Sequence, residues 1–140
     1  MTWSNKYIGT PFAEFGRDWS GVDCYGLVVL AYRVELGIDL TSYAGEYVSC
    51  EEHAELDGLF KGAIDCGPWN RVEGTAQAFD VALFRRGPLA SHCGLVVGHR
   101  QMLHVSGREQ AKLGRYRPEP GKSQLIGHYR HNRLMGMLHA

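Results

Sequence analysis

A thiol and two imidazoles stand out among the 140 residues. Cys24 lies in the stretch GVDCYGLVVLAY, where an acid, Asp23, can cap an apolar helix. A sulfur in the first turn of a helix meets unpaired N–H groups and the positive end of the aligned peptide dipoles, and both favour the thiolate. The same N–H groups can receive an oxyanion, so one place would supply a nucleophile and a donor for a tetrahedral intermediate. His92 and His104, twelve positions apart (104 − 92), fall in two apolar, β-rich runs, HCGLVVGH and QMLHVS. A hairpin turning near 98–100 would set them roughly opposite each other, about 5 Å apart at Cβ if they share a face. One ring could then hold the other in the tautomer that accepts a thiol proton. Thiol-based acyl transfer is the chemistry such a trio supports. The same trio as a metal site would want a fourth group, and no spacing supplies it. Read alone, a Cys on an apolar stripe is more often a small core hydrophobe than a catalyst.

Elements must exist to bring these groups together. Asp23 can cap a helix whose apolar positions are Cys24, Leu27, Val28, Ala31 and Val34, an i, i+3, i+4, i+7 stripe that Gly37 ends. Residues 3–9 could form a short helix, GTPFAEFGRDWSG reads as a structured loop, 51–61 as a weaker helix, and CGPWN as a turn. After residue 75 the pattern becomes strand-like: FDVALFRR, HCGLVVGH, QMLHVS, 110–117, LIGHYR and RLMGMLH. Helices first and an antiparallel sheet second make an α+β domain with the helices on one side, expected to occupy residues 1–140 as one unit. Asp80 is expected to fix a turn or strand end. Cys93 should point away from His92 and pack in the core.

Composition sets the limits. An apolar share of 44% and a charged share of 21% are those of an ordinary folded domain, and no apolar run approaches the ~20 residues of a membrane helix. The opening MTWSNKYIGTPF lacks a basic segment followed by an apolar one, so synthesis in the cytoplasm without a signal peptide is expected. Cysteines at 24, 50, 66 and 93 form no C-x-x-C pair, which argues against a zinc ribbon or a disulfide framework. Net charge is zero, yet residues 1–70 hold 4 Lys/Arg and 11 Asp/Glu, and 71–140 hold 11 and 4. That asymmetry fits either two halves packed with their charges paired, or two opposed faces that orient the protein on a partner. Basic residues are not interleaved with aromatics, so nucleic acid is not an expected partner.

Four segments, in order, resemble the NlpC-type cell-wall endopeptidases, papain-like cysteine peptidases that cut peptidoglycan stem peptides. YIGTPF resembles the opening segment of that family, and GVDCYGLV its D-C-S-G-L-V nucleophile motif. FDVALF resembles its G-D-L-V-F-F strand, and HCGLVVGHRQMLHV its H-V-G-I-Y-V-G…F-I-H-A pair. The resemblance implies a papain-like fold with Cys24 as nucleophile, His92 as base and His104 as orienting residue, and needs no metal or cofactor. GRDWSGVDCYGLV…LGIDL is similar to the phage tail-assembly branch. That implies a tail-tip component, partnered by other tail-tip proteins, that opens the host cell wall locally during DNA delivery and acts at the wall or periplasm. The alternative is a catalytically silent structural subunit of the tail tip. Two positions depart from the family pattern. Phe12 stands where many relatives have a substrate-holding Tyr, and Tyr25 where most have Ser beside a subsite. Asp23, Tyr25, Phe12 and Trp19 are the candidate substrate-binding residues.

Overall fold

Helix α1, Cys24–Ala31, begins at Asp23, whose extended backbone (φ −96°, ψ −171°) and side chain form the N-cap by accepting the Gly26 N–H at 2.8 Å. Described here from a computed structural model are residues 3–43, 61–62, 64, 67–86, 89–105, 108–116 and 125–137. The helix is buried nearly all round, from Cys24 and Gly26 through Ala31. A helix apolar on every side belongs inside a domain rather than on its surface. The chain then widens into a π-helical turn, Tyr32–Leu36, and stops at Gly37 in the left-handed region (φ 67°). That wide turn shifts the helical phase. The stripe expected to end on Val34 therefore fails there: Val34 is 43% exposed, and Tyr32 is the fully buried residue. The Tyr32 hydroxyl donates to the Phe79 carbonyl at 2.5 Å, tying the helix to the sheet.

The expected short helix is a 3-10 helix at Trp3–Tyr7. In the segment read as a loop, β1 (Arg17–Asp18) and β2 (Gly21–Val22) pair as a two-stranded ribbon, and Phe12 bridges Val22. The main sheet has six antiparallel strands in the order β3-β8-β4-β5-β6-β7. They are β3 (Trp69–Arg71), β4 (Val81–Arg86), β5 (Leu89–Gly98), β6 (Gln101–His104), β7 (Lys112–Arg115) and β8 (Leu125–His131). The α+β reading therefore holds, with the long buried helix ahead of the sheet and one short helix after it.

Three local expectations are corrected. Trp69 and Asn70, read as part of a turn, open β3 and pair with His131 and Arg130 of β8. RLMGMLH, read as a last strand, contributes instead to helix α2, Asn132–Met137. With β3 on one edge of β8 and β4 on the other, no edge of β8 is left for it to join. Leu134 is the residue it buries. The expected helix over 51–61 falls almost wholly outside the described residues.

One face of the sheet, with Val81, Leu83, Cys93, Leu95, Leu103 and Tyr129, packs with Leu27, Val28, Leu30 and Ala31 of α1. The other face carries a smaller apolar group of Ala82, Val96, Met102 and Leu125. Asp80, fully buried, holds the start of β4 as expected. Its oxygens accept Arg130 Nε and Nη2, each at 2.7 Å, and the Gln77 N–H at 2.8 Å.

Candidate active site

Cys24 opens α1 and is 7% exposed. Two neighbours from β5, the thiol of Cys93 and the imidazole of His92, act on its thiol. Those influences, Cys93 first and then His92 with its charge, lower the Cys24 pKa from 9.0 to about 5, against burial and the Asp23 carboxylate. The Cys93 thiol shifts the opposite way, held well above an ordinary thiol by its bond to Cys24, by burial and by the Cys24 charge. The two shifts run in opposite directions, so Cys24 is the member of the pair that favours the thiolate.

Strand alternation sends residues 92 and 93 to opposite faces, and Cys93 does pack in the core beneath α1. From that core position it acts on Cys24 at the tip of the helix above. A β-bulge lies on the far side of His92. Phe84 pairs with His92, but Arg85 pairs with Ala90, so the ladder loses register beside His92. A bulge bends its strand and re-aims the neighbouring side chain.

His92 and His104 come together edge to face, ring centroids 5.7 Å apart. They are diagonal rather than directly opposite. Leu95 pairs with Leu103, which puts Gly94 beside His104. Two glycines make the room: a Cβ on Gly94 would lie 3.4 Å from the Cβ of His104, and one on Gly114 2.8 Å from its Nε2. His104 Nδ1 is buried with no hydrogen-bond partner among the described residues. Burial, then the charge of His92 and of Lys112, pushes the His104 pKa from 6.5 to about 4, so this ring is neutral near pH 7. Phe84 packs on His92, ring centroids 5.8 Å apart.

Asp23 is 1% exposed and has both oxygens engaged. Oδ1 accepts the Gly26 N–H and Arg17 Nη1, each at 2.8 Å; Oδ2 accepts the Phe15 N–H at 3.1 Å. Arg17 also donates Nη1 to Gly16 O and Nε and Nη2 to Ser42 O. One guanidinium thus joins the ribbon, the helix cap and the segment after the helix. Tyr25 is half-buried, with Arg17 over its ring at 5.8 Å and the Tyr43 ring 5.8 Å away; burial raises its hydroxyl pKa. Phe12 packs at the margin of the core under the guanidinium of Arg108, 5.4 Å from the ring. Trp19, 45% exposed, stacks on Tyr7 at 4.8 Å. The structure thus gathers Cys24, Asp23, His92 and His104 around α1 and β5, with Phe12 one strand away.

The family model for the NlpC/P60 family matches residues 9–135, nearly the whole chain. The chain belongs to the NlpC/P60 family. The NlpC/p60 domain of the peptidoglycan hydrolase SagA is 26% identical, with a TM-score of 0.54 over 80% of this chain and 82% of that one. An NlpC/P60 protein of Bacillus cereus is 17% identical, with a TM-score of 0.61 over 91% of this chain, and NlpC1 from Trichomonas vaginalis is 19% identical, with a TM-score of 0.57 over 90%. At those identities the likeness is one of fold. The chain corresponds to 37% and 41% of the length of these two proteins. No curated protein matches it.

Within this NlpC/P60 domain, sequence reasoning missed Arg17, Gly94, Gly114 and the influence of Cys93 on Cys24. Arg17 carried a signal: it is one of only 4 basic residues in the acidic half, six positions before Asp23. The glycines carried none without the strand register.

Two predictions arise here. Iodoacetamide should label Cys24 with a pH midpoint near 5 rather than 9. At pH 7 its thiolate fraction should then be roughly a hundredfold that of an unperturbed thiol. Peptide mapping of the alkylated chain against pH reads this directly, and a midpoint above 8 would contradict this assignment. The second concerns acid stability. Below about pH 6.5 the unfolded chain protonates residue 104, whereas the folded chain does so only near 4. Unfolding takes up a proton in that window, so stability falls as pH drops through it. The Cys24 thiolate adds to the loss as pH falls through about 5. With allowance for the partial exposure of the ring, the His104 share is on the order of 1–2 kcal/mol between pH 6.5 and 4. Denaturant melts of the wild type and His104→Gln at the two pH values check it. The variant should show the shallower decline.

Proposed function

We propose that this chain is a cysteine endopeptidase that cuts amide bonds in peptidoglycan stem peptides, with Cys24, His92 and His104 as its triad. The observation that carries the reading is Cys24 at the first position of α1, packed on β5, whose His92 meets His104 with ring centroids 5.7 Å apart. Membership of the NlpC/P60 family and likeness to the SagA domain, described as part of a peptidoglycan hydrolase, support the substrate class.

In this mechanism the Cys24 thiolate attacks the amide carbonyl, and the Cys24 backbone N–H donates to the resulting oxyanion. Each such donor lowers the barrier by about 3–4 kcal/mol. His92 takes the thiol proton and returns it to the leaving amine, after which water hydrolyses the thioester. His104, neutral and with Nδ1 unpartnered, is suited to accept an N–H from His92 and hold that ring on course. Asp23 positions the nucleophile through the helix cap. Tyr25, Phe12 and Trp19 are proposed to contact substrate, and the Arg108 guanidinium over Phe12 offers a partner for a stem-peptide carboxylate. The mechanism uses no metal or cofactor, and chelator should leave the rate unchanged.

The finer placement rests on GRDWSGVDCYGLV…LGIDL and its similarity to phage tail-assembly proteins. On that reading the chain works at a virion tail tip, beside other tail proteins, and opens the host wall during infection. Mass spectrometry of muropeptides after digestion, run beside Cys24→Ala, tests the activity. Intact murein together with slow alkylation of Cys24 would favour a silent structural subunit instead.

A further inference from the structure

We propose that a cavity at the far end of β5 is a second ligand site, built for a small carboxylate and linked through ring contacts to His92. The cavity has a volume of about 180 Å³. It lies where the β5–β6 turn, the residue after β7, the middle of β8 and the segment ahead of β4 meet. Thr75, Ala76, His99, Arg100, Tyr116 and His128 line it. Gly98, at the same place, is six residues along β5 from His92, about 20 Å at the rise of a strand. The cavity is therefore separate from the surroundings of Cys24.

The lining sets the charge of the ligand. Arg100 and two histidines contribute to it, and no Asp or Glu among the described residues does. The Asp80 carboxylate, whose charge reaches Tyr116 and His128, is engaged by Arg130 in two bonds of 2.7 Å. A guanidinium meets a carboxylate with two parallel N–H donors. The turn fixes where Arg100 sits: its backbone is left-handed (φ 60°), and its carbonyl accepts the Tyr116 N–H at 3.0 Å. Tyr116 Oη and His128 Nε2 are 2.8 Å apart. When Nε2–H donates to the phenol oxygen, the phenol O–H is released to donate to a ligand oxygen. Thr75 adds a hydroxyl, and Ala76 adds apolar surface for a short aliphatic part. An apolar cavity of ~150 Å³ takes benzene, so this one suits roughly six to eight non-hydrogen atoms. A free short-chain acid and the carboxyl end of a peptide share that chemistry. The link to His92 is a row of rings. Tyr116 meets Phe84 edge-on at 6.0 Å, Phe84 meets His92 at 5.8 Å, and His92 meets His104 at 5.7 Å. A ligand that fixes the Tyr116 ring thereby fixes the wall beside the His92 imidazole.

This inference does not depend on what Cys24 attacks, and its test needs no murein. The full chain, isotopically labelled, is titrated at pH 7 and constant ionic strength with sodium propionate and followed by NMR. The expected result is a saturable shift of the Gly74, Thr75 and Gly98 amides and of the His128 ring, with the His92 ring moving along the same curve. Half-saturation should fall in the millimolar range that so few atoms allow. Propionamide, similar in shape but uncharged, should give no saturable shift. Arg100→Asn removes the guanidinium and places there a residue that tolerates the left-handed backbone. It should weaken propionate binding by about tenfold or more. Alanyl-alanine separates the two sources: tighter binding than propionate assigns the cavity to peptide ends, weaker binding to free acids, and either supports the site. An equal response to propionamide, shifts confined to residues around Cys24, or a chain unmoved by every probe overturns the proposal. Shifts that reach Tyr116 and leave His92 in place overturn the link. If Arg100→Asn does not fold, the comparison of propionate with propionamide decides. Binding here by a chain inert toward murein would sink the peptidase reading and leave this site standing.

Discussion

Replacing Cys24 with alanine should abolish release of stem-peptide fragments from murein, a loss of about 10⁴- to 10⁶-fold in rate. The magnitude follows from what the sulfur does. In the proposed mechanism it forms the covalent bond to the acyl group, and no other described side chain at the helix tip can replace it except Cys93. That residue is fully buried in the core, which keeps it from a bulky substrate. The alanine chain should keep its fold, because Cys24 begins the helix rather than filling its centre, and the Asp23 cap does not depend on it. Circular dichroism and the denaturant midpoint of Cys24→Ala should therefore match the wild type to within about 1 kcal/mol. Digestion persisting in this variant would remove the thiolate mechanism altogether.

Arg17→Ala should lower unfolding stability by about 3–5 kcal/mol, the usual cost of leaving a buried charge without its partner. Arg17 and Asp23 side chains are 12% and 1% exposed, and their contact is 2.8 Å. Arg17 also donates to two backbone carbonyls, Gly16 O and Ser42 O. A solvated surface pair would lose less than about 1 kcal/mol, which is the outcome that would contradict this account. Asp23→Asn keeps a capping oxygen for Gly26 while removing the charge, so Arg17→Ala/Asp23→Asn should be more stable than Arg17→Ala alone. Denaturant melts of the three variants settle the comparison. Because Asp23 also sets where α1 begins, Arg17→Ala should slow Cys24 alkylation at pH 7 even in the fraction that remains folded.

The chemistry-bearing residues were legible because their types and order are unusual. An acid followed by a thiol ahead of an apolar run reads as a capped helix with sulfur in its first turn, and that is how Asp23 and Cys24 are built. His92 and His104 were legible as a hairpin pair, although the register proved diagonal, with Leu95 facing Leu103. What stayed hidden depended on contacts between distant segments. Arg17 reaches Ser42, 25 residues away, and no local pattern encodes that bond. Three-residue β3 is too short for any alternation to show, and it exists because β8 has an edge to offer Trp69–Arg71. RLMGMLH has apolar residues at spacings that suit either a strand or a helix, and only the occupied edges of β8 decide for α2. Cys93 was legible as a core residue, but its influence on Cys24 depends on how α1 lies over β5. Alternation holds through His92 and Cys93, and the ladder breaks only on the far side of His92.

That break makes the aim of His92 a matter of chain length. Between the pairs Phe84↔His92 and Arg85↔Ala90, β5 carries one residue more than β4 needs, namely Ser91. Excising that residue would leave every named group of the site in the polypeptide yet let the hairpin zip flat, with the imidazole swung off the sulfur. Indels at this hairpin should thus be far less tolerated than substitutions there, and a relative one residue shorter would carry all the right letters and a misdirected base.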